Sequence, residues 1–286
     1  MRAAESPGVI AIPSPLWLAV ALMPGLAIVV CLVLYPIGLA IWASLGLSSG
    51  GPTLQRYIDF FSEGESYRAL VRTVGLALAT TAASILLSIP LGYVGRTPGW
   101  IGTLVRVLVA LPLAVPVLIA GYALALFYAD NGLFNNLLVR VLRILSDPLS
   151  ISYTWTGLVI ACVWRFFPYT GLLVISALQS IDRNIEQAAA STGANPWQVF
   201  WRITLPLIAP AALTGGILTF VSTFGTFSIP LIMGRGGDVL SVMAYRKVAG
   251  TFDWPVASTI VIVMAVIQIA VLVGLRRLVM RWARQG

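Results

Sequence analysis

A chain of 286 residues that is 59% apolar and 10% charged, with a net charge of +8 and no histidine, leaves few chemistries open. Without histidine, a Ser–His–Asp or Cys–His catalytic arrangement and a His-ligated metal site are both excluded. The single lysine, Lys247, sits in Tyr245-Arg246-Lys247-Val248, so there is no G-x-x-x-x-G-K-[ST] phosphate loop and the chain does not hydrolyse nucleotide by itself.

Six apolar stretches, near 16–46, 70–95, 101–129, 155–178, 209–233 and 256–279, are each long enough to cross about 30 Å of hydrocarbon as a helix. The expectation is therefore an all-α polytopic membrane bundle of six transmembrane helices, one domain over 1–286. The first stretch is too long for a signal-peptide core and lacks a small-residue cleavage site, so it reads as an anchor. Pro36, Pro90, Pro112, Pro116, Pro168 and Pro230 fall inside these stretches and are read as kinks that neighbouring helices tolerate. Cys31 and Cys162 lie in apolar runs and are read as packing residues rather than a disulfide. The basic residues sit at the ends of apolar runs with no aromatic-interleaved stripe, which fits snorkelling anchors and not nucleic-acid binding.

Basic residues divide almost evenly between the two sides of such a bundle, so the positive-inside rule is nearly silent. The lopsided feature is the tail cluster Arg276, Arg277, Arg281 and Arg284, which favours a cytoplasmic C-terminus. Six crossings then place the N-terminus in the cytoplasm too. Of the outer segments, 47–69 and 130–154, the second carries Leu133, Phe134, Leu137, Leu138, Val141, Leu142 and Leu145 at helical spacing, with Arg140 and Arg143 opposite. This predicts a short amphipathic helix at the interface, or an outer cap on the bundle.

Residues 179–208 then face the cytoplasm. Glu186 to Thr192 is alanine-rich and helix-favouring, and Gly193 turns the chain. Asn195 can cap a second helix with Pro196 at its first position. Trp197, Phe200 and Trp201 fall on one side of that helix. Exposed alanines beside a sharp turn let the groove of another protein approach closely.

This segment resembles the cytoplasmic EAA loop of ABC importer permeases, E-A-A-x-x-x-G, nine residues, then I-x-L-P. The matching residues are Gln187-Ala188-Ala189, Gly193, Ile203, Leu205 and Pro206, with Ala194 at the turn counted among the candidate coupling residues. The chain departs at the acidic position, where Gln187 stands with Glu186 one residue earlier. The resemblance implies a coupling helix seated on a cytoplasmic ATPase. It also implies two ATPase subunits holding ATP and magnesium, a second permease subunit, and an extracytoplasmic solute-binding protein. The machine would alternate between inward- and outward-facing states, and this chain would carry no cofactor of its own. A different class, an ion-coupled secondary carrier, would work without the ATPase.

Thr219, Ser222, Thr223 and Thr226 share one helical face of the fifth stretch, and Thr80, Thr81, Ser84 and Ser88 form a similar stripe in the second. Each stripe is read either as a polar wall of the path or as a helix-packing face. The run Phe224 to Gly234 resembles the permease branch that serves polyamines, ferric iron and phosphonates, in which the second permease is usually a distinct chain. No Asp or Glu falls inside any of the six stretches, which weakens a cation site. The aromatics Trp155, Trp164, Phe166, Phe167 and Tyr169 could hold an organic cation or serve as belt and core. Arg165, near the middle of the fourth stretch, needs a partner at that depth. Backbone, second permease, water and an anionic solute remain open.

Overall fold

Lipid offers no hydrogen bonds to the backbone, so each apolar stretch is satisfied internally as a helix. The computed structural model describes residues 15–47, 51–234 and 239–282; Arg2, Arg235 and Arg284, read above as charged anchors, lie outside them. In chain order, α1 (Pro15–Val29) continues through a π turn at Val30–Leu34 into α2 (Tyr35–Ser44). Next come α3 (Gln55–Ser62) and α4 (Gly64–Gly95). Then follow α5 (Trp100–Ala114), α6 (Val117–Phe127) and a single turn, α7 (Leu133–Asn135). The long α8 (Trp155–Ser180) leads to α9 (Arg183–Ser191) and α10 (Pro196–Val199). A π turn, Phe200–Thr204, joins α10 to α11 (Leu205–Phe224). The chain closes with α12 (Ser228–Met233), α13 (Leu240–Thr251) and α14 (Trp254–Trp282). No strand occurs among the described residues.

The centre is the α4–α8–α11 trio, which approaches closely because small residues line the contacts. A Cβ at Gly215 would lie 2.6 Å from Thr170 Cα, and one at Gly92 would lie 2.7 Å from Leu178. Around this trio, α14 and α13 pack Ile260, Met264, Leu240 and Met243 on Phe220 and Phe224 of α11. On another side, Ala125 of α6 and Ile229 and Met233 of α12 cluster with Leu158 and Phe166. The first span differs: its most apolar part is nowhere buried inside the chain, and α2 rests on α14.

Three sequence expectations need correction. The stretch 101–129 is not one straight span, because α5 and α6 meet at 107°. Pro116 removes an N–H and drives Val115 into extended backbone (φ −88°, ψ 126°), so the helix breaks, whereas Pro112 stays inside α5. The fifth span does not begin at 209 and run to 233. Its helix is continuous from Pro196 to Phe224, and α12 is a separate short helix. Continuity past Pro206 depends on the π turn: Leu205 donates to Phe200 five residues back, which widens the helix just ahead of the proline ring. Val30–Leu34 does the same ahead of Pro36. Finally, the helix expected over 133–145 stops at Val141, where Arg143 takes left-handed φ of 51°.

Candidate functional site

The segment between α8 and α11 is built from strong local signals. Asp182 accepts from the Asn184 N–H at 2.9 Å, capping α9. At the other end Gly193 has φ +89°, Ala194 donates to the carbonyl of Ala189 and Gly193 to that of Ala190. That is a Schellman cap, and it needs glycine for its backbone conformation alone, since nothing lies within 4 Å of where a Cβ would sit. Asn195 then accepts from Gln198 N–H at 2.8 Å while Gln198 accepts from Asn195 N–H at 3.0 Å, a reciprocal box with Pro196 at the first helical position. The Asn-x-x-Gln spacing was visible in the sequence; its second half was missed.

The result is two helices meeting at a sharp turn outside the bundle. Gln187 and Ala188 are exposed, Ala189 is half-buried, and Ala194 is half-buried at the turn. Trp197 is 68% exposed and Trp201 49%. They form an aromatic group with Phe200, with ring centroids 5.3–6.0 Å apart. Ile203 and Leu205 are half-buried, and Pro206 is exposed on the continuous helix.

Glu186 does not stand out toward solvent. Its two carboxylate oxygens accept from Arg96 Nη1 at 3.0 Å and Nη2 at 2.9 Å, and Thr204 Oγ1 donates to it at 2.8 Å. The Arg96 guanidinium lies over the Tyr93 ring at 4.5 Å. Arg96 is therefore an ion-pair partner and not simply a snorkelling anchor. Arg106 departs from that expectation too, donating to the Gly95 carbonyl. Neither the Arg96 pairing nor the Thr204 contact was read from sequence, because the partners are 90 and 18 residues apart.

Inside the bundle the two hydroxyl stripes divide residue by residue. Thr219 shares a hydrogen bond with Thr170, and the Thr226 carbonyl accepts from Ser241. Thr81 and Ser88 bond back to their own helix, while Ser222 is half-buried. Among the described residues, the hydroxyls of Thr80, Ser84 and Thr223 are buried without a partner, as are Nε and Nη1 of Arg165. Gly75 faces Trp155, and Gly92 faces Val174 and Leu178, a parallel register that puts Ser84 near the level of Arg165 and Thr80 about one turn away from it, toward Trp155. Arg165 is 9% exposed and its Cζ lies 5.6 Å from the Phe166 ring centre. That ring is thus engaged by a cation of this chain, and Phe167 is buried. Trp164 and Phe167 line a separate apolar cavity of about 550 Å³ between α4, α5 and α8. Trp155 lines a second one of about 420 Å³ with Arg72 and Tyr153.

Five membrane-length helices, six with the bent α5–α6 pair counted as one span, and a helix–turn–helix outside the bundle define a polytopic membrane protein of the transport-permease class. The chain belongs to the family described as binding-protein-dependent transport system inner membrane component, whose model matches residues 84–285. It is 29% identical over 194 residues to the sulfate transport system permease protein CysT of Escherichia coli strain K12, covering 66% of this chain and 67% of that one. It is 28% identical over 261 residues to the putative 2-aminoethylphosphonate transport system permease protein PhnU of Salmonella typhimurium strain LT2, covering 89% and 88%. The fold matches that of a bacterial ABC transporter involved in import of the acidic polysaccharide alginate (TM-score 0.75, 19% identity, 93% of this chain and 96% of that one). The chain is accordingly a multi-pass inner-membrane permease of an ABC importer and not an enzyme. In this family ATP hydrolysis belongs to separate subunits, and transport depends on a binding protein.

Proposed function

We propose that this chain is one of two membrane-spanning subunits of an importer for a small anionic solute. The observation that carries this reading is Arg165, a buried guanidinium with two N–H-bearing nitrogens unpartnered among the described residues, on the helix that packs against α4 with its orphan hydroxyls of Thr80 and Ser84. Unpartnered donors around a fixed positive charge suit the oxygens of a sulfate- or phosphonate-like group. Sulfate and 2-aminoethylphosphonate, named for two relatives, belong to that chemistry. An organic cation such as a polyamine would meet Arg165 and no carboxylate in the apolar stretches, and its support is the Phe224–Gly234 resemblance.

In the same reading, α9 and α10 dock on the ATPase through Gln187, Ala188, Gly193 and Trp197, and both termini are cytoplasmic. Two ATPase subunits carry ATP and magnesium, and the second permease is a distinct chain. Reconstitution with the ATPase, the second permease and the binding protein tests it. Uptake of radiolabelled sulfate, molybdate or 2-aminoethylphosphonate with no uptake of spermidine is the expected result. The reverse pattern replaces the anion by a polyamine.

A further inference from the structure

We propose that Arg96, Glu186 and Thr204 form a permanent strut that makes the coupling segment move as one body with the cytoplasmic ends of α4 and α11. It rests on the docking reading of α9 and α10. The links on either side of α9 are poor transmitters of force. Ile181 and Asp182 are extended between α8 and α9, and the Gly193 turn separates α9 from α10. A push on α9 through those links alone would be lost in rotation about them.

The Glu186 carboxylate bypasses both. Each of its oxygens takes one Arg96 nitrogen, and the Oε1 side also takes the Thr204 hydroxyl. A fork-on-fork contact fixes orientation as well as distance, which a single point contact does not. The two side chains are 14% and 16% exposed, so solvent and salt screen the pair less than a surface pair, and opening it would leave charge partly buried. Both charges also suit their helices: Arg96 is the residue closing α4, and Glu186 lies in the first turn of α9. Tyr93 holds the guanidinium from behind and approaches Phe200 at 6.2 Å, extending the contact to the aromatic group. The two helices so engaged, α4 and α11, carry the orphan hydroxyls of Thr80, Ser84 and Thr223. Glu186 is thus a positioning residue that acts through Arg96, and the ATPase-facing side chains are its neighbours Gln187 and Ala188.

The first measurement needs no change at the strut itself. In the full complex lacking Cys31 (Cys31→Ala), spin labels at Val94→Cys on α4 and Ser191→Cys on α9 report their separation by pulsed electron spectroscopy. The expected result is one narrow distance, the same in nucleotide-free and ATP-vanadate-trapped states. A distance that shifts between the two states overturns the strut. Glu186→Gln and Arg96→Gln should each lose the single narrow distance, the double variant should be no worse than either, and all three should keep the ATPase subunits bound. Loss of the ATPase in Glu186→Gln but not in Arg96→Gln overturns the proposal by placing the carboxylate on the ATPase. Ala188→Arg separates the underlying reading: retained ATPase binding there removes the docking assignment while leaving the measured distance as it is.

Discussion

The hydroxyl of Thr219 on α11 lies 2.9 Å from that of Thr170 on α8 and donates to the Phe166 carbonyl at 3.3 Å. Thr219 has one proton to give, so Thr170 is the donor in the shared bond. The pair ties two core helices together, which supports the packing reading at this position of the stripe. An asymmetry follows. Thr219→Val takes from the Thr170 hydroxyl its acceptor and leaves the Phe166 carbonyl with its helical N–H alone, whereas Thr170→Val leaves Thr219 its carbonyl. We expect a loss of about 1 kcal/mol for Thr219→Val and less for Thr170→Val, with the double variant close to Thr219→Val alone. Thermal unfolding of the assembled complex measures it, and equal, additive losses would remove the tie.

Close helix approach makes a second contrast between neighbouring glycines. A Cβ at Gly215 would sit 2.6 Å from the backbone Cα of Thr170, while one at Gly216 would meet the end methyl of Ile85 at 2.9 Å. Backbone cannot move aside without shifting α8; a terminal methyl can change rotamer. Gly215→Ala should therefore cost about 1–3 kcal/mol and Gly216→Ala much less. Similar melting temperatures for the two variants would contradict the α8–α11 contact described.

These contrasts show where the sequence was legible. Span number follows from composition, because a bilayer forces apolar stretches into helices. The helix–turn–helix of α9 and α10 was legible because Gly193, Asn195 and Pro196 act within a turn of themselves. The 107° break was not: Pro112 and Pro116 look alike in sequence, and the bent arrangement lets α6 pack on α12 at Gly121, with a Cβ there only 3.1 Å from Ile232. The Arg96–Glu186 pair was equally hidden. Each partner could be read as an ordinary charge near a membrane surface until the fold brought positions 90 residues apart into contact.

Gly193 tests the docking segment itself. Its φ of +89° is closed to β-branched residues, and the open space around it means that strain, not collision, is the cost. Gly193→Val should misplace Ala188 and Ala189 at a cost of about 1–2 kcal/mol, and Gly193→Asn should cost less because asparagine visits left-handed backbone. Membrane insertion should be normal for both, with ATPase co-purification reduced in the valine variant and largely kept in the asparagine one. Full transport by Gly193→Val would show that the turn is not needed for coupling.

Arg165 carries the last prediction. An arginine at this depth costs about 2.5–3.5 kcal/mol to insert, and the Phe166 ring at 5.6 Å recovers only part of that. A residue whose role was to bind carbonyls of its own chain would leave them short of a donor when removed. Here Nε and Nη1 have no such partner among the described residues, so Arg165→Gln should leave the thermal stability of the chain unchanged or raised. If the missing partner is the solute, anion uptake should fall by the worth of charge-assisted hydrogen bonds, about 1.5–3 kcal/mol or roughly 10–100-fold. Arg165→Lys keeps the charge but not the fork and should fall between the two. Uptake and melting measured on the same reconstituted complexes decide the matter. A complex that fails to assemble with Arg165→Gln assigns the guanidinium to the second permease, and wild-type uptake by the same variant takes Arg165 out of the path.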